Sequence, residues 1–419
     1  MMQRNIIKLS FIVILISFWS CKTTQVLPVN VTSVDILKAD VKYLASDELE
    51  GRETGTEGER KAAEYIAGRF EEMGLSGIFN ADNPYYQFFK KTKRSNPHAN
   101  APGPDDEVVH GRNVGAFLDN DSDNTIIIGA HYDHLGYGAE GSLYVGPPAI
   151  HNGADDNASG IAAMLALAKY FKTQKLESNI LFLAFSGEEK GLWGSNFFVD
   201  NSPIEHADIN YMINMDMVGR LNEKRQLALY GTGTSPVWDD IIYSIKTPYF
   251  KYTIEESGVG PSDHTSFYLE DIAVLHFFTG QHEDYHRPTD DFEKVNFEGM
   301  KDIIQYIATV VLMADKKGKV KFTKTNDDTQ DAPDFKVTLG VIPDYLFDGK
   351  GMRIDGVREN RPASNAGIEK GDVVVKMGEL EVVDMMSYMK ALSMFEKGQT
   401  IKVTVKREGN TLMEKDVTF

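Results

Sequence analysis

Histidine, aspartate and glutamate recur in short clusters between residues 131 and 290, most of them just after an apolar run. His131-Tyr132-Asp133-His134 follows the run Thr125–Ala130, and Ser186-Gly187-Glu188-Glu189 follows Asn179–Phe185. Asp216 follows Ile209–Met215, while Ser262-Asp263-His264 and Tyr285-His286-Arg287-Pro288-Thr289-Asp290 lie to either side of Ile272–Phe278. Gly153-Ala154-Asp155-Asp156-Asn157-Ala158-Ser159-Gly160 leads into an apolar helix. Taken singly, Asp155-Asp156-Asn157 is an ordinary N-cap and Glu188-Glu189 an ordinary solvated loop. Gathered around the edge of one sheet, the set points to metal chemistry. Imidazole and carboxylate suit Zn2+, with bonds of about 2.0–2.2 Å. Two ions about 3.5–4 Å apart need a carboxylate between them and terminal ligands on each. Successive glutamates point in different directions, so one can bind metal while its neighbour faces a water and acts as general base. Asp133, two residues from His131, could accept the second ring N–H and fix the tautomer.

The elements that must hold these clusters alternate between helix and strand. Thr56 and Glu59 have capping-box spacing and open a helix running to about Met73, with Gly74 as its stop. Thr125–Ala130 (TIIIGA) is a continuous β-branched run, as a strand covered on both faces should be. Ser159–Phe171 reads as a helix, Asn179–Phe185 and Ile209–Met215 as strands, Ile272–Phe278 as another strand and Phe297–Met313 as a last helix. Strands separated by helices imply an α/β sheet covered on both faces, and such sheets bind ligands beyond the carboxyl ends of their strands.

The motifs GAHYDH, GADDNASG, SGEEKG, NMDMVG and YHRPTD together resemble the M28 family of zinc aminopeptidases, over roughly residues 35–315. The resemblance implies a mixed central sheet flanked by helices and two zinc ions per chain. It implies that His131 and Asp216 bind one zinc, Glu189 and His286 the other, and that Asp156 bridges them. Glu188 would be the general base and Asp133 the orienter of His131. Asp263 and His264 match the family's S-D-H element and would support the site from outside. Many secreted members carry a tyrosine three residues before that serine; Val259 stands there in this chain, so oxyanion stabilisation must come from the metals or another donor. The long segment between His131 and GADDNASG is expected to fold over the cleft; His134 and His151 in it could touch substrate, but surface or structural roles are favoured.

Composition bounds the rest. The chain has 419 residues, a formal net charge of −18 and one cysteine. Its length suggests two or three domains, and the acidity argues against nucleic acid as a partner. A lone cysteine excludes an intramolecular disulfide and any site built from several thiolates. Met1–Ser20 reads as a signal peptide, and Phe18-Trp19-Ser20-Cys21 resembles a bacterial lipobox. Export is therefore expected, with Cys21 lipidated and residues 21–34 a tether to a cell-envelope membrane, at the periplasm or cell surface. Residues 316–332 are polar and read as a linker between domains 35–315 and 333–419. Residues 333–419 hold 13 basic and 14 acidic side chains, so the acidity belongs to the larger domain. The run Arg361–Gly378 resembles a PDZ domain, which implies a small β-rich unit whose Leu339-Gly340-Val341 loop receives a peptide C-terminus. Three functions compete: a di-zinc aminopeptidase acting on peptides, a carboxypeptidase of the same family, and a metal-dead lipoprotein that binds protein C-termini.

Overall fold

The computed structural model describes residues 31–93, 106–246, 248–325, 337–344, 347, 349–357, 361–407 and 411–419. The signal segment Met1–Ser20, Cys21 and residues 326–332 of the polar run lie outside the described residues. Two sheets organise the chain. The larger takes β1 (Tyr86–Lys93), β2 (Glu107–Leu118), β3 (Thr125–His131), β4 (Asn179–Phe185), β5 (Ile209–Met215), β6 (Gln226–Tyr230), β7 (Lys251–Glu255) and β8 (Ala273–Phe278), in the order β1-β2-β4-β3-β5-β8-β6-β7. Its centre, β4-β3-β5-β8, is parallel, and β1, β2 and β6 pair antiparallel at its flanks.

The parallel strands are apolar throughout because helices cover both of their faces. Ile126 and Ile128 enter a core with α1 (Val34–Leu44), α2 (Glu57–Glu72), α3 (Gly160–Phe171) and α7 (Phe297–Asp315). Ile127, between them, enters a second core with Phe198 of α4 (Trp193–Asp200) and Phe267 of α6 (His264–Tyr268). Each such side chain contributes about 1.5–3 kcal/mol by burial. On the helix side of the sheet, α3 is buried everywhere except Lys169 and Tyr170, which explains its apolar composition on almost every side. With every residue of β3, β4, β5 and β8 buried in this way, polar side chains collect where those strands end.

Two local readings shift. Thr56 does cap α2, accepting from Glu59 N at 3.3 Å, but Glu59 does not reach back to close a capping box. Its side chain is fully buried and accepts from Tyr132 Oη at 2.6 Å. After α7, the chain runs back over the large domain instead of leaving it. Val320 N donates to Asn210 Oδ1 at 2.8 Å, Thr323 N to Thr234 O at 2.8 Å, and Thr325 N to Tyr268 Oη at 3.1 Å.

The second sheet is antiparallel, with β9 (Val341–Pro343), β10 (Met352–Val357), β11 (Val373–Met377), β12 (Leu380–Glu381), β13 (Thr400–Arg407) and β14 (Thr411–Thr418). Its order is β14-β13-β11-β10-β9, with β12 on β11. Leu339, Ile354, Val374, Val403 and Val417 anchor a separate core.

Candidate metal centre

The carboxyl ends of the parallel strands converge on one pocket. His131 is the last residue of β3, Glu188 and Glu189 follow β4, Asp216 follows β5, and His286 lies beyond β8. Asp156 enters from the turn before α3, and that turn is built by its own motif. Gly153 adopts φ +55, and a Cβ there would lie 2.1 Å from Asp156 O, so only glycine fits. Asn157 pins the turn to the end of β5, donating to Met215 O at 3.0 Å and accepting from Met217 N at 3.2 Å. Asp155 serves the scaffold, accepting from Gly219 N at 2.6 Å and Ser159 Oγ at 3.0 Å. Asp290 Oδ2 accepts from the N–H groups of Asp155 and Asp156, both at 3.0 Å.

Asp156 stands between two imidazoles. Its Oδ1 lies 3.3 Å from His131 Nε2 and its Oδ2 lies 3.3 Å from His286 Nε2. Asp216 Oδ1 is 3.3 Å from the same His131 nitrogen, and Glu189 Oε2 is 3.2 Å from the same His286 nitrogen. Both histidines turn Nδ1 toward a main-chain carbonyl, His131 to Asp133 O at 3.2 Å and His286 to Gly141 O at 3.0 Å. A carbonyl only accepts, so Nδ1 carries a proton in each ring, and Nε2 is the nitrogen that faces the carboxylates. The Asp133 carboxylate sits 3.6 Å from His131 Nδ1 and is held by Thr54 Oγ1 at 3.1 Å and Glu188 N at 3.2 Å.

Donor atoms of His131, Glu188 and Asp216 lie within 4.8 Å of one another, as do those of His134, Asp156 and Glu189. Paired groups of carboxylate oxygens and buried imidazole nitrogens, with no lysine or arginine side chain among them, are a donor set that fits two dications. Burial lifts Glu188 well above the usual glutamate range; His131 opposes this, while Asp216, Glu189 and Asp263 add to it. Burial would lift Asp156 too, yet hydrogen bonds from His131 and His286 carry it well below the usual aspartate range. Asp263 is pushed up to about 7 by burial, and both its oxygens are enclosed without a hydrogen-bond partner. His264, lowered to about 3 by burial, stacks on His276 with ring centroids 4.4 Å apart. Neither Asp263 nor His264 belongs to the two donor groups.

Some contributors were not legible as site residues. His134, expected at the surface or in a structural role, is fully buried with Nδ1 2.8 Å from Glu189 Oε1. His151 is structural, bonding Ser142 Oγ at 2.8 Å and Ala149 O at 2.9 Å. The long segment between His131 and the turn packs on His286: Leu143 N donates to His286 O at 2.9 Å, besides the Gly141 bond. The cleft itself, about 60 Å3, is lined by Glu188, Asp216, Met217, Phe278, Gln281 and Tyr285 among others. Val259 packs instead against the second core.

Residues 113–311 match peptidase family M28, and residues 320–415 match the PDZ domain. The larger domain is thus an M28 peptidase domain, joined to a PDZ domain. The chain is 29% identical over 206 residues to aminopeptidase YwaD of Bacillus subtilis, covering 46% of this chain and 42% of that protein. It is 31% identical over 197 residues to the alkaline phosphatase isozyme conversion protein of Escherichia coli, covering 46% and 54%. The matched stretch thus spans about half of these relatives. Among solved structures, an aminopeptidase from Aneurinibacillus sp. strain AM-1 superposes with a TM-score of 0.52 at 17% identity, over 70% of this chain and 95% of that one. A glutaminyl cyclase from Bacteroides thetaiotaomicron superposes with a TM-score of 0.51 at 19% identity, over 67% and 97%. The fold is therefore shared by different reactions, and the site must decide between them.

Proposed function

We propose that the protein is a zinc-dependent exopeptidase, an aminopeptidase that removes N-terminal residues from peptides. The carrying observation is Asp156, whose two oxygens face His131 on one side and His286 on the other. His131 and Asp216 would hold one ion, Glu189 and His286 the second, with Asp156 between them. Bound zinc would acidify water and draw charge from a carbonyl oxygen. Glu188, half-buried beside His131 and Asp216, takes the proton from the attacking water and passes it to the leaving amine.

The test is a panel of free and N-acetylated peptides with a chelator control, run on wild type and Glu188→Gln. Free peptides should lose their N-terminal residue, the chelator should stop this, and Glu188→Gln should lower kcat by about 10²–10⁴-fold. Cleavage of acetylated peptides from the C-terminal end would make the protein a carboxypeptidase instead. Near-normal turnover in Glu188→Gln would remove Glu188 from the mechanism.

The PDZ domain, on this reading, receives peptide C-termini at Leu339-Gly340-Val341. Supporting it, β9 begins in that loop and forms the end strand of its sheet, where an added strand can pair. Cys21 would be the lipidated N-terminus of the exported chain, tethering it to a bacterial cell-envelope membrane. A lipid label incorporated by wild type and lost in Cys21→Ser would support the anchor; equal labelling of both would refute it.

A further inference from the structure

The segment Leu49–Thr56 lies outside the M28 match, yet it is built into the wall of the metal centre. Glu50, Gly51 and Arg52 all adopt left-handed backbone, with φ of 49, 70 and 50. Gly51 passes so close to the long loop that a Cβ would sit 2.6 Å from Gly136 O. Gly136 N donates to Gly51 O at 3.0 Å and His134 N to Arg52 O at 3.3 Å. Thr54 holds the Asp133 carboxylate, and Glu53 holds Lys190, the residue after Glu189, at 2.7 Å.

Arg52 is the centre of this arrangement. Its side chain is 1% exposed, and its donors all go to main-chain carbonyls. Nε donates to Tyr132 O at 2.9 Å, Nη1 to Asn152 O at 2.6 Å and to Leu44 O, and Nη2 to Gly153 O at 3.0 Å. Tyr132 lies between His131 and Asp133; Gly153 opens the turn that carries Asp156. One rigid planar fork therefore spans the two loops that bring the donors together. A cation buried without a directly bonded carboxylate is costly unless its surroundings compensate. Here Asp156, Asp133, Asp290 and Glu189 supply the opposing charge. The same cation, in turn, offsets part of the repulsion among those carboxylates.

We propose that Arg52 is a positioning residue of the metal centre: it ties the His131–His134 loop to the Asp156 turn and so sets the spacing between the two donor groups. The inference rests on the metal-centre reading above. Lysine cannot substitute, because a single ammonium cannot span carbonyls that a five-donor planar fork reaches together.

The test uses full-length wild type, Arg52→Lys and Arg52→Ala, stripped of metal and titrated with zinc and with cobalt. Wild type should take up two zinc ions. Arg52→Lys should keep its far-UV circular dichroism, bind zinc about 10–100-fold more weakly and show an altered cobalt absorption spectrum. Millimolar guanidinium should restore the wild-type cobalt spectrum to Arg52→Ala. Two ions bound by Arg52→Lys with wild-type affinity and spectrum, with only a lower melting temperature, would reduce Arg52 to a fold residue and overturn the proposal. So would failure of Arg52→Lys to fold in saturating zinc. Wild type that binds no zinc would instead sink the metal centre itself, and this inference with it.

Discussion

The two sheets of this chain offer ligands opposite things. In the peptidase domain, β3, β4, β5 and β8 are buried along their whole length, so the strands have no surface to offer. Their chemistry sits in side chains gathered at one rim, where the backbone stops. In the PDZ domain, β13 alternates between exposed and buried positions, and β9 ends the sheet. Main-chain N–H and C=O groups of that end strand would be the recognition surface there. Among the described residues, both groups of His, Asp and Glu close enough to share an ion lie in the peptidase domain. A reaction needs fixed side chains, whereas capture of a chain end needs an open edge. The donor side chains and the open edge belong to separate cores.

The sharpest break in that comparison is Asp156→Asn. Losing the carboxylate between the two imidazoles should abolish uptake of at least one zinc ion. Activity should fall by more than the roughly 100-fold that loss of an outer hydrogen-bond partner costs. Peptide binding by the PDZ domain should be untouched. Elemental analysis and a peptide-binding titration on the same preparation check both halves. Retention of two tightly bound ions would show that Asp156 does not link the sites.

Much of the peptidase domain was legible because burial on both faces writes a continuous apolar run: Asn179–Phe185 and Ile209–Met215 have the expected boundaries. The edge strand β1 (YQFFKKTK) and its neighbour β2 (EVVHGRNVGAFL) were not read, since partial exposure leaves no continuous apolar run. The donor clusters were visible because each follows a strand that could be read. Arg52 was invisible for a physical reason: its partners are carbonyls, three of them 80 to 101 residues away, and a carbonyl has no sequence signature. The unusual run Leu49-Glu50-Gly51-Arg52 ahead of a helix cap was the one available hint. His134 was expected at the surface or in a structural role, whereas the loop turns it onto Glu189.

A smaller effect is expected at the PDZ loop. Gly340 adopts φ +73, and a Cβ there would lie 2.3 Å from Arg361 Cβ. Gly340→Val should therefore distort the loop and remove binding of a C-terminal peptide, as read by fluorescence anisotropy. Hydrolysis of a dipeptide amide should stay at the wild-type rate, because the donor groups belong to another core. A parallel fall in that rate would show that the two domains do not act separately.

The smallest effect concerns charge in the PDZ domain, where ion pairing is structural. Arg407 grips Asp372 with two bonds, Nε to Oδ1 at 2.7 Å and Nη2 to Oδ2 at 2.8 Å. Burial alone would raise Asp372, but the Arg407 bonds carry it below the usual aspartate value. A carboxyl depressed in the folded state stabilises it above the unfolded pKa, about 3.9, and that stabilisation fades as pH falls through the lower folded value. Wild type should therefore melt above Arg407→Met at neutral pH, by a margin on the order of 0–1 kcal/mol for a partly solvated pair. The margin should hold from neutral pH down to about pH 5 and narrow below about pH 4. Calorimetric scans of the PDZ transition across that range decide it. A margin that stays constant into strong acid would mean that Arg407 stabilises the domain through its bond to Gly367 O at 2.9 Å and its packing, with Asp372 a bystander.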